Sequence, residues 1–219
     1  MQRKKVKNKY ILIGILLVLI SFIIIVLRNL EINKKRINEQ KLINQFFDKS
    51  FDESDITDQD DDNNNADINN NNDKSFDNVN DLVDEEYVAV IEIPKISLKK
   101  GLYNQSSINN DVNKNIKILS SSAMPDEDGS NLILASHAGS SNASYFKNLS
   151  KLSINDYIYL FYNRRQYVYS VNKIFEIEKD GIIDINKNNN NKLLTLITCK
   201  IGMNKQIVVI AKLVNEEEF

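Results

Sequence analysis

Residues 11–27, ILIGILLVLISFIIIVL, form a run of 17 positions without a charge. As a helix that run is long enough to span a bilayer, at the short end of the range, and it takes the N-terminal part of the chain out of any packed core. Arg3, Lys4, Lys5, Lys7 and Lys9 precede it. A basic tail before an apolar run is also the signature of a cleavable signal peptide. Against cleavage, the run is longer than a usual h-region and is followed by Arg28 and the bulky NLEINKKR, not by a small-residue cleavage site. The favoured reading is an uncleaved signal anchor, with residues 1–9 a basic tail and 10–27 a transmembrane helix. Arg28, Lys34, Lys35, Arg36 and Lys41 put positive charge on the far side too. The dense cluster on a very short tail still favours a cytoplasmic N-terminus, a single pass of the cell membrane, and the remaining chain outside.

Two segments of different character follow. Residues 28–50 set Leu30, Ile32, Ile37, Leu42, Ile43, Phe46 and Phe47 among lysines and glutamates, a loose helical pattern that extends the membrane helix as a stalk. Residues 51–86 hold 14 Asp or Glu against one Lys, with Asn tracts at 63–65 and 69–72. That stretch has too little apolar surface to offset the entropy of ordering, so a disordered, self-repelling linker is expected. Its DQDDDNNNADINNNND has calcium-type oxygens but lacks the glycine and closing glutamate of an EF-hand. A solvated spacer is the better reading. The net charge of -2 hides this segregation, since residues 87–219 carry 16 basic and 13 acidic side chains. So mild a balance gives no case for nucleic-acid binding.

The fold is thereby confined to residues 87–219, one domain of ordinary size. Runs rich in β-branched and aromatic residues predict strands at 87–93, 131–136, 156–162, 166–171, 192–198 and 206–214. YIYLFYNRRQYVYSV is a hairpin candidate with Asn163, Arg164 and Arg165 at the bend. No long run has convincing helical periodicity, though residues 141–152 have room for one or two helical turns. With six glycines in the chain there is neither a P-loop nor a dinucleotide fingerprint. Short strands at this spacing point to an all-β domain, an antiparallel sandwich or a closed barrel.

The chain has one histidine and one cysteine. His137, in NLILASHAG, and Cys199, in LLTLITC, each sit at or just past the end of a predicted strand. A thiolate nucleophile needs a nearby base, and the chain offers a single candidate for each role. A lone cysteine in an apolar run is more often buried filler. Strand ends, however, are where a rigid sheet presents reactive groups to solvent. A single cysteine also excludes an intrachain disulfide and is compatible with an extracellular thiol enzyme.

These residues resemble those of the sortases, cysteine transpeptidases of the Gram-positive cell surface. The resemblance covers nearly all of residues 87–214. It begins with IEIPKISLKKGLY at 91–103, like the family's opening strand and its proline. It runs through NLILASHAG and YFKNLSKLSINDYIYL, and ends in LLTLITC, like the strand that carries the nucleophile. The 62-residue separation and the order, His137 before Cys199, also fit. Papain-like cell-wall peptidases place Cys before His, and L,D-transpeptidases place the two close together. The resemblance implies an eight-stranded sortase-type β-barrel behind the transmembrane helix. It also implies a thioester on Cys199 formed from an LPXTG-like sorting signal, with His137 as acid and then base and a cell-wall or pilin amine as acceptor.

One position departs from the family. Sortases carry an arginine on the strand after the cysteine, and counting back from Ala211 puts Gln206 there, beside Lys205. Strand alternation sends Lys205 to the opposite face. A glutamine amide still donates to substrate or oxyanion, without charge. The departure supports an alternative function, a catalytically degenerate sortase-like barrel that binds surface peptides or partners. Thr198, beside the nucleophile, either orients it or packs for β-propensity. Ile182 and Ile183 stand in the segment where sortases read the sorting signal, either lining an apolar pocket or packing in the core. Asp126, Glu127, Asp128, Glu178 and Asp180 are available to calcium, which some sortases bind, but acidic loop residues are usually solvated. No metal and no cofactor are expected. The chain ends NEEEF and shows no Asp-Pro-aromatic lid motif before the domain. By resemblance both point to a class A- or D-like enzyme instead of a pilin polymerase.

Overall fold

The computed structural model describes residues 3–52, 86–179 and 191–219. The chain divides into two compact units, Met1–Lys41 and Leu42–Phe219. Helix α1 spans Arg3–Asp52. No proline and only one glycine, Gly14, fall within it, so nothing in the sequence forces a break. It is long and apolar enough to cross a membrane, and its 18-residue apolar window has a mean hydropathy of 2.7 with none of that window buried.

The second unit holds eight strands: β1 Ala89–Ile93, β2 Leu98–Leu102, β3 Lys117–Ile118, β4 Asn131–Ala135, β5 Tyr157–Tyr162, β6 Arg165–Glu178, β7 Leu193–Cys199 and β8 Lys205–Glu218. They form one sheet in the order β2-β1-β5-β6-β8-β7-β4-β3, curled into a nearly closed barrel. At its edges, Asn115 Nδ2 beside β3 donates to the Gly101 carbonyl of β2 at 2.9 Å, a buried bond between the two rims. Alternate residues fill the interior: Leu132 and Leu134 from β4, Ile158 and Leu160 from β5, Leu194 and Leu196 from β7, Ile207 and Val209 from β8. The period of two follows from strand geometry.

The eight-stranded barrel agrees with expectation, and four details differ. Strands β2 and β3 were not anticipated, because LKKGL has no apolar alternation and β3 is only two residues long. β6 runs past residue 171 to Glu178, through a register shift between Val171 and Lys173 that breaks the alternation in the sequence. The hairpin bend is Asn163 and Arg164, both at positive φ, while Arg165 already pairs with Glu218 in the ladder. β4 and β7 pair in parallel, which the spacing of the strands did not signal. Residues 141–152 contain one short 3-10 turn, Leu149–Lys151.

The last turns of α1 belong to the barrel unit. Ile43, 2% exposed, packs with Tyr87 and Val90, and Leu42, Phe46, Phe47, Tyr103 and Phe161 surround them. Phe47 meets the Phe161 and Phe219 rings edge-on at 5.2 and 5.4 Å. The Tyr87 ring lies so close to Gly101 that a Cβ there would sit 2.0 Å from it, which is why β2 needs glycine at this point. Lys49 Nζ pairs with Glu86 Oε2 at 2.9 Å. The residues flanking the acidic segment therefore meet, so the length of that segment does not set the distance between helix end and barrel.

Candidate active site

Parallel pairing of β4 and β7 runs from Asn131 opposite Leu193 to Ala135 opposite Ile197, an offset of 62 residues. The same number separates His137 from Cys199, so continuing the register brings the two strand ends side by side. Two hydrogen bonds extend the pairing past β4. Ser136 N donates to Ile197 O at 3.2 Å, and Thr198 Oγ1 donates to Ser136 O at 2.7 Å. The returning loop holds the histidine segment from the other side: Phe146 N donates to His137 O at 3.2 Å, and Ser136 Oγ donates to Ala143 O at 3.2 Å.

Cys199 ends β7 and is exposed. With Leu194 and Leu196 in the core, residues 195, 197 and 199 face the outer side of the sheet. A turn containing Gly202 at φ +77° then starts β8, and Gln206 pairs directly with Cys199. Directly paired residues share a face, so Gln206 flanks the cysteine on one side and His137 on the other. Further along this face lie Ile133, Thr195 and Val208, all buried, and Ile197 and Ile210, half-buried. Lys205 begins β8 on the opposite parity, and its ammonium stands 4.0 Å from Glu178. Arg165, which pairs with Glu216 at 2.6 Å, lies at the far end of β8 from Gln206.

Thr198 is buried, 3% exposed, and its hydroxyl ties the residue before Cys199 to the residue before His137. Its role is thus more specific than β-propensity. Ile182, Ile183 and Asp180 lie outside the described residues. Among the described residues no three His, Cys, Asp or Glu side chains converge in a way that could hold a metal ion. Sequence reasoning missed Asn113, whose Oδ1 lies 3.3 Å from His137 Nε2. It stands in NNDVNKN, where an asparagine draws no attention in so asparagine-rich a chain.

The nearly closed eight-stranded barrel thus carries its cysteine and histidine on adjoining parallel strand ends. Residues 91–214 match a family model described as Sortase domain. The fold is similar to a Clostridium perfringens sortase D5 transpeptidase, at 28% identity and TM-score 0.52 over 60% of this chain and 81% of that one. It is also similar to the C. perfringens sortase C solved with the C-terminal cell wall sorting motif, at 25% identity and TM-score 0.53 over 62% and 74%. Sortase A from Corynebacterium diphtheriae matches at 26% identity and TM-score 0.53 over 59% of this chain, which spans 61% of that one. No curated protein sequence gives a match. The chain belongs to the sortase family, whose members are in general cysteine transpeptidases.

Proposed function

We propose that the protein is a membrane-anchored sortase that cleaves an LPXTG-like sorting signal through a thioester on Cys199 and passes the acyl group to a cell-wall or pilin amine. The observation that carries this reading is the register: the only histidine and the only cysteine end adjacent strands at the same level, with an amide donor opposite the thiol. The similar C. perfringens structure with a cell wall sorting motif supports the substrate class.

In this reading the Cys199 thiolate attacks the threonine carbonyl of the signal. The C–N bond breaks as His137 gives its proton to the departing amine. The incoming amine then loses a proton to His137 as it attacks the thioester, and the thiolate is released. Gln206 donates its amide N–H to the carbonyl oxygen as charge develops there. The half-buried Ile197 and Ile210 on the Cys199 face supply an apolar floor for the extended peptide. The basic tail holds the N-terminus in the cytoplasm and the barrel works outside.

The test is the full-length chain in detergent with a panel of LPXTG-like peptides. A Cys199 thioester detected by mass, and its resolution by an added amine, are the expected results. Cys199→Ala should abolish cleavage and leave the melting temperature nearly unchanged, since the side chain is exposed. Cleavage by the alanine variant would show the nucleophile to be another residue. A second reading, a barrel that binds peptide without turnover, is favoured by Gln206 alone. It predicts peptide binding with no thioester.

A further inference from the structure

The His137 ring makes one side-chain hydrogen bond among the described residues, from Nε2 to Asn113 Oδ1. Its partner is not a chance neighbour. Asn113 N donates to Asp111 Oδ1 at 2.7 Å, while Lys114 N and Asn115 N donate to Asp111 O at 2.9 and 2.7 Å. Asn115 Nδ2 is tied to Gly101, and the buried Asn110 side chain both donates to Ile118 O and accepts from Ile118 N. The Asn110 and Asn115 side chains, with the turn at Asp111, thus fix the segment that faces the histidine.

We propose, on the transpeptidase reading above, that Asp111, Asn113 and His137 form a hydrogen-bonded relay in which Asn113 is a positioning residue fixing the tautomer of the catalytic imidazole. The Asp111 carboxylate accepts from the Asn113 backbone N–H and so holds that residue in place, while the Asn113 side chain turns its amide oxygen to the histidine. The amide oxygen in turn only accepts, so His137 Nε2 carries a proton. Nδ1 is then the nitrogen that takes and gives the reaction's proton.

The charge state of Asp111 is consistent with this. Its carboxyl is held below the usual range, first by the Asn113 backbone N–H, with the Asn113 side chain, Lys117 and Lys114 adding to it. At 3.3 Å the His137 contact is long, and such bonds tighten when substrate binds. Asn113 touches the ring and not the peptide, so its loss should act on kcat more than on KM.

Because the chain has a single histidine, 15N spectra of the untagged full-length protein report this ring alone. The wild type should show an Nε2–H imidazole, and Asn113→Ala should populate both tautomers. Its kcat should fall about 10- to 100-fold with KM within about threefold. Asn113→Asp keeps an acceptor oxygen facing Nε2, and should retain both the tautomer and most of kcat. An unchanged tautomer in Asn113→Ala, or kcat within twofold of wild type, overturns the relay. A wild type that never forms a thioester overturns the transpeptidase reading instead, and the tautomer then decides the relay by itself.

Discussion

The Thr198 hydroxyl donates a 2.7 Å hydrogen bond to the Ser136 carbonyl, joining the residues immediately before Cys199 and His137 inside the barrel wall. Thr198→Val keeps the shape and leaves that carbonyl with one acceptor bond fewer. A loss of about 1–3 kcal/mol is expected, and a shift of about 1 Å between the strand ends would lower turnover up to ~100-fold. Thr198→Ser keeps the donor and should retain most of both. Thermal melts and peptide kinetics on the same variants check this. A valine variant with wild-type stability and turnover would leave the hydrogen bond without a role.

Tyr167 and Tyr169 are wholly buried in the barrel, and neither hydroxyl has a partner among the described residues. Burial pushes the Tyr167 phenol up to about 12, helped by Glu216 and Asp126. Tyr169 is raised as well, again chiefly by burial. In the unfolded chain both ionise near ~10. Above that pH the unfolded state sheds protons that the folded state keeps, so stability is complete below about pH 10 and falls as pH rises toward 12. Tyr167→Phe and Tyr169→Phe remove an unpartnered buried hydroxyl and should be neutral to about 1–3 kcal/mol stabilising at neutral pH. Both should flatten the alkaline limb. Denaturant midpoints between pH 7 and 11 measure this, and a destabilised phenylalanine variant would mean that the hydroxyl has a partner.

Six of the eight strands were legible because strands leave a period of two, the barrel followed from the family resemblance, and the candidate pair stood out because the chain holds one histidine and one cysteine. Gln206 could be placed by counting from Ala211, and the register puts it opposite Cys199. What stayed hidden depends on contacts between distant residues. The parallel β4–β7 pairing leaves no mark in either strand. LKKGL reads as a loop because Lys100 is buried where an apolar residue is expected. Residues 42–47 read as a weakly amphipathic stalk, since only part of the turn around Ile43 meets the barrel.

That contact separates two changes which the sequence alone treats alike. Ile43→Ala removes a side chain that is 2% exposed between Tyr87 and Val90, and should cost the barrel about 2–4 kcal/mol. Deleting residues 55–80 should not. Lys49 and Glu86 already meet at 2.9 Å, and seven residues remain between the helix end at Asp52 and Glu86 to close the gap. The shorter loop lowers the closure cost by about 1 kcal/mol. Peptide turnover should be unchanged by the deletion. Melting of the full-length variants checks both, and a deletion as damaging as Ile43→Ala would mean that the acidic segment itself packs on the barrel.

On the transpeptidase reading proposed above, Gln206 decides whether the departure from the family arginine is tolerated or disabling. It is the direct cross-strand partner of Cys199, so its amide is on the thiol's face, while Lys205 pairs with Glu178 on the other. Gln206→Ala removes a donor from the developing oxyanion and should lower kcat/KM by about 100-fold, the usual scale of such a loss. Gln206→Arg should preserve or raise it, because a charge-assisted donor is the stronger one. Lys205→Ala is the control and should matter little. If Lys205→Ala cripples turnover and Gln206→Ala does not, the donor has been misassigned. If the wild type is inactive and Gln206→Arg gains turnover, the protein is a peptide-binding barrel that lost its chemistry at this one position.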